Sequence, residues 1–87
     1  MSDLQVIGVE PQAEHKVLLT FDNKEIRVFD MKSYIERSSF FKQLEDEEYF
    51  KTVRISLGSI QWKNGQDLSP HTLYTKSKLV SSLSESA

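Results

Sequence analysis

The sequence predicts a small α+β domain of two layers, an antiparallel sheet of two hairpins plus an N-terminal strand, packed on one face by a helical segment. Three observations predict it. A β-branched apolar run at 4–10 and alternating apolar residues in 15–21, 25–29 and 53–62 carry the marks of strands. Between the last two runs, Met31, Tyr34 and Ile35 stand three and four apart, the spacing of one helix face. A length of 87 residues holds one core, because chains this short do not divide into two.

Each element follows in order. Val6, Ile7 and Val9 favour extended backbone, and Pro11, which lacks a backbone donor, is expected to stop the first strand. Val17, Leu19 and Phe21 alternate, as do Ile26 and Val28. A two-residue loop at Asp22 and Asn23 would pair Leu19 with Ile26 and Val17 with Val28, all on one face. The rival is a longer loop with Lys24 in the left-handed region, which costs of order 1 kcal/mol for a residue with a Cβ. Asp30 is placed to cap the helix, Ser38 and Ser39 interrupt it, and Phe40, Phe41 and Leu44 resume its pattern, so a kink or two short helices are expected. In the second hairpin, Gly58 at the first central position of a type II′ turn pairs Leu57 with Ile60 and Ile55 with Trp62. Asn64 and Gly65 mark another turn, and Ser69 followed by Pro70 reads as a cap and first helical position. The order is therefore β-β-β-α-β-β-α, the last helix short. Residues 1–74 form the expected domain. From Thr75 onward the chain has five serines in thirteen residues, and residues 75–87 read as a flexible tail, with Leu79, Val80 and Leu83 available to order on a partner.

Composition narrows the function classes. A chain this short buries only somewhat over about 60% of its unfolded surface, so a deep cofactor cavity is not expected and surface binding is. With no cysteine, disulfides, thiolate catalysis and zinc–thiolate sites are excluded, and a reducing compartment is expected. The first residues carry neither a basic region nor an apolar run for export, and no apolar stretch reaches membrane-spanning length. A cytoplasmic location away from membranes is the expectation. The net charge of −2 gives no global attraction to nucleic acid.

Catalytic motifs are missing. His15 and His71 are isolated, the serines lie in no nucleophile motif, and the three glycines are too scattered to cradle a phosphate. No catalytic residue, metal ligand or cofactor is expected. The acidic run Glu45 to Glu48 reads as a solvated face. If Val53, Ile55, Leu57, Ile60 and Trp62 turn towards the helix, the opposite sheet face gathers Lys16, Leu18, Arg27, Phe29, Arg54 and Lys63. Apolar area mixed with arginine is the composition of a protein interface, and these six residues form the candidate interaction face.

The sequence also resembles a known family. The first strand, LLTFDNKEIRVFDM, FFKQLEDEEYFKTVRIS and IQWKNGQDLSPHTLY are similar to the small bacterial domain-of-unknown-function family numbered twenty-four forty-two. The matching signature positions are Trp62, Asn64, Gly65, Asp67, Pro70, Leu73 and Tyr74. Lys24 and Lys63 depart from it, where the family commonly has glycine and proline. The resemblance implies a small α+β domain with no established reaction. Some similar proteins carry a following helix-turn-helix domain, which this chain is not expected to have. Many are encoded beside another small protein in arrangements resembling toxin–antitoxin pairs. The leading expectation is a non-enzymatic protein-interaction or regulatory module, such as the antitoxin-like member of a two-protein bacterial system. Its expected partner is another small protein or a second copy of the chain. The alternative is a nucleic-acid-binding accessory protein using Lys16, Arg27, Arg54 and Lys63; an enzyme with a site at Trp62, Asn64 and Asp67 ranks last.

Overall fold

A computed structural model describes residues 4–82. The α+β class and the antiparallel pairing are as expected, but the strands form two sheets. Strands β1 (Val6–Gln12), β2 (Lys16–Phe21), β3 (Glu25–Asp30) and β7 (Lys78–Ser82) make a four-stranded sheet in the order β1-β2-β3-β7. Strands β4 (Arg54–Ser56), β5 (Ser59–Gln61) and β6 (Asp67–Leu68) make a separate three-stranded sheet. Helices α1 (Lys32–Arg37) and α2 (Glu47–Phe50), with a 3-10 turn between them at Lys42–Glu45, link the two sheets, and α3 (Pro70–Thr75) precedes β7.

Pro11 does not end β1. It pairs with Val17, and β1 continues to Gln12; an edge strand tolerates proline because the missing donor is not needed on its outer side. The serine-rich segment read as tail contributes β7, which pairs with β3 from Glu25↔Ser82 to Val28↔Lys78. Two features fix it there. The Ser69 side chain accepts a hydrogen bond from the Thr72 N–H at 3.2 Å and Pro70 opens α3, so the capping signal read in the sequence sets the direction of approach. Arg27 then clasps the segment: its Nε donates to Ser77 Oγ at 2.8 Å and its Nη2 to the Ser77 carbonyl at 3.2 Å. Leu83 and the rest of the expected tail lie outside the described residues.

Both hairpin registers differ from the sequence reading. The β2–β3 loop has three residues, with Lys24 at φ 76° and its N–H bonded to the Phe21 carbonyl at 3.0 Å. Asn23 Oδ1 accepts from the Glu25 N–H at 3.0 Å, a side-chain turn that helps hold Lys24 in the left-handed region. Thr20 consequently faces Ile26, Leu18 faces Val28 and Val17 faces Phe29, one residue from the expected pairing. In the β4–β5 hairpin the central residues are Leu57 (φ 52°) and Gly58 (φ 77°), a type I′ turn, and Ile55 faces Ile60. The core lies between the inner face of the large sheet and the helices and small sheet: Val17, Leu19, Phe21, Phe29, Met31, Leu44, Phe50, Ile60, Trp62 and Leu73 are among its buried members. Helix α1 begins one residue later than read: Met31 holds the capping position with no side-chain cap bond, and Asp30 Oδ1 accepts from the Lys32 N–H at 2.9 Å in the turn that leads into it.

Candidate functional site

The one-residue register change divides the expected interaction face. Phe29 is buried in the core. Arg27 lies opposite Leu19, on the core side, at 15% side-chain exposure. Its Nη1 donates to Glu25 Oε1 at 2.7 Å and its guanidinium stands 4.3 Å from the centre of the Tyr74 ring. With its hydrogen bonds to Ser77, this is a satisfied structural arginine. Lys16 and Leu18 keep the outer face, while Arg54 belongs to the small sheet and Lys63 to the loop between β5 and β6. The six residues are not brought together.

What replaces them on the outer face is more apolar. Leu18, Ile26 and Val28 are half-buried there and are not among the residues packed on the core. Ile26 and Val28 were missed as surface residues because a two-residue loop turns them inward. On this face β7 sets Lys78 opposite Val28 and Ser81 opposite Ile26, while Leu79, exposed at 57%, pairs with Arg27 on the other side. The two edges of the sheet differ. On the β1 edge the Val6 N–H donates to the Gly58 carbonyl at 2.8 Å, so the β4–β5 turn covers its start, and Pro11 offers no donor further along. On the other edge, β7 has β3 as its only strand neighbour among the described residues.

The signature loop is built into the core. Trp62 is fully buried, and its Nε1 donates to the Phe50 carbonyl at 2.8 Å. Gly65, at φ 96°, closes the turn, with its N–H on the Trp62 carbonyl at 3.0 Å. Gln66, not singled out from the sequence, is buried; it accepts from Tyr49 Oη at 2.8 Å and donates to the Phe40 carbonyl at 3.1 Å. Asn64 donates through Nδ2 to Gln43 Oε1 at 2.6 Å. These bonds tie the loop to the helical segment, since buried polar groups left unpaired are costly. Asp67 is exposed and pairs with Gln61 in the small sheet. Pro70, Leu73 and Tyr74 shape and anchor α3, with Leu73 in the core and Tyr74 edge-on to Phe21 at 5.2 Å.

His15 and His71 are separated: His15 ends the turn after β1 and bonds through Nε2 to the Glu45 carbonyl at 3.0 Å, whereas His71 is exposed on α3. Among the described residues no group of three or more histidine, aspartate or glutamate side chains is placed to hold a metal ion. No helix among them is long and apolar enough to cross a membrane.

The fold and surface define a small α+β domain whose large sheet carries the core on one face and, among the described residues, leaves the half-buried Leu18, Ile26 and Val28 outside the core on the other. The chain belongs to the family described as "Protein of unknown function (DUF2442)", whose model matches residues 6–78. The match reaches the start of β7, so the segment after α3 is part of the family's domain. No curated protein and no solved structure matches the chain.

Proposed function

We propose that the chain is a non-enzymatic protein-interaction module that binds a small protein through the outer face of its large sheet, as the regulatory, antitoxin-like member of a two-protein bacterial system. The observation that carries this is the trio Leu18, Ile26 and Val28, apolar, half-buried and, among the described residues, outside the core. Burying such a patch against a partner gains of the order of 25 cal/mol per Å² of apolar surface. The open β7 edge extends the same surface and offers backbone groups to an extended segment of the partner. The two-protein setting rests on the family resemblance. The nucleic-acid reading has lost its geometric basis, because Arg27 is engaged on the other side of the sheet from Lys16.

The test is capture with the tagged chain and its Leu18→Glu/Val28→Glu variant from bacterial lysate, with and without nuclease, with circular dichroism as a check on folding. One stoichiometric protein held by the wild type and lost by the folded variant is the expected result. Recovery of the same protein by both would overturn the assignment of the face. Recovery that disappears with nuclease would favour nucleic acid, and a wild-type complex containing only a second copy would make the module a homodimer.

A further inference from the structure

A second surface lies at the end of β1, where Glu10, paired with Leu18, adjoins the outer sheet face. A cleft of about 600 Å³ opens between the end of β1, the turn after it and α2. Pro11, Ala13 and Phe50 give it an apolar floor. The His15 ring stands edge-on to Phe50 with centres 5.3 Å apart and is held by the Glu45 carbonyl. The wall is firmly built: Glu14 and His15 both adopt left-handed backbone, at φ 62° and 59°, and the Met31 N–H fixes the turn by bonding to the His15 carbonyl at 3.0 Å.

The charge on this cleft is one-sided. Glu10, Glu14 and Glu47 line it against a single ammonium, Lys51. Glu14 meets Lys16 at 3.7 Å on the surface, while Glu10 and Glu47 form no ion pair among the described residues. An apolar floor beneath a carboxylate rim suits a side chain that is flat, cationic and able to lie on aromatic rings. Arginine has those properties: its guanidinium forks onto carboxylates and stacks on ring faces while its aliphatic stem covers apolar surface.

We propose that this cleft docks a basic segment of a partner protein, with an arginine laid against Pro11 and the half-buried His15 ring and paired with Glu47 and Glu10. An exposed carboxylate rim also predicts sensitivity to salt, because screening sets in within about 8 Å at physiological ionic strength. The inference goes beyond the reading of the sheet face and does not depend on it.

The experiment uses the full isotope-labelled chain and two synthetic peptides of equal length, acetyl-Gly-Leu-Arg-Leu-Arg-Gly-amide and the same sequence with glutamate in place of arginine. Nuclear magnetic resonance titration is expected to move the amide signals of Glu10, Ala13, His15 and Lys51 with the arginine peptide alone. Added salt should weaken the effect. The charge reversal Glu10→Lys/Glu47→Lys should weaken binding by about tenfold or more, with a well-dispersed spectrum showing that the variant folds. Glu48→Lys, on α2 but outside the cleft, should leave binding unchanged. Equal response to both peptides, no response to the arginine peptide, or shifts confined to Leu18, Ile26 and Val28 would each overturn the proposal.

Discussion

Leu57 occupies the first central position of the β4–β5 turn at φ 52° with its side chain wholly exposed, so its replacement by asparagine isolates a backbone effect from packing. Left-handed backbone costs a residue with a Cβ roughly 1–2 kcal/mol, and asparagine adopts it far more readily. Leu57→Asn removes no buried contact, and recovering about half of the strain gives a gain of about 0.5–1 kcal/mol. For a domain of this size that raises the thermal midpoint by about 3–6 °C. Trp62, the only tryptophan and fully buried, reports unfolding by fluorescence; a higher urea midpoint with unchanged slope is the expected reading. The neighbouring change should have the opposite sign. Gly58 is at φ 77°, and a Cβ there would stand 3.1 Å from Gln5 Cγ, so Gly58→Ala should cost about 1 kcal/mol or more. A midpoint for Leu57→Asn at or below that of the wild type would refute the turn assignment and the strain argument with it.

Other substitutions probe the clasp, the first turn and the loop. Lys24→Gly, at φ 76°, is expected to stabilise by about 0.5–1 kcal/mol in the same urea assay. Arg27→Lys keeps the charge but loses the fork onto Ser77 and Glu25 and the stacking on Tyr74, and should cost about 1–2 kcal/mol, with faster amide exchange in β7 as the specific sign. Trp62→Phe removes the shorter of two hydrogen bonds to the Phe50 carbonyl, leaving the Val53 N–H at 3.3 Å, and opens a void, a loss of about 1–3 kcal/mol by thermal denaturation followed by circular dichroism.

Legibility in the sequence turned on parity. The β4–β5 register differs from the expected one by two residues, and a shift of two returns every side chain to its own face: Ile55, Ile60 and Trp62 keep the expected side and Leu57 moves to the tip. The β2–β3 register differs by one, which exchanges the faces. That single step sends Phe29 into the core, turns Arg27 to the core side and leaves Ile26 and Val28 outside. The deciding residue was Lys24, whose local cost argued for the shorter loop; burial of Phe29 opposite Val17 and the clasp on Arg27 outweigh that cost, and neither can be seen in a local window. β7 was hidden for a related reason. Its serines resemble a linker, and the feature that holds it, Ser77 against Arg27, joins residues 50 positions apart. The cap at Ser69 and the buried tryptophan were legible because their signals are local or strongly apolar.

The position of β7 has a consequence for how the sheet can be remodelled. The β2–β3 pairing closes over a three-residue loop, whereas β7 reaches β3 only after a long excursion through three helices and the small sheet, and closing so long a loop is entropically dearer. None of residues 78–81 of β7 belongs to the buried core. It is thus the strand the sheet loses at least cost, and its departure would hand the bonding edge of β3, with Ile26 and Val28 beside it, to whatever strand arrives next. Strand replacement, not only addition, is written into the connectivity, and the Arg27 clasp is the latch that sets how readily it happens.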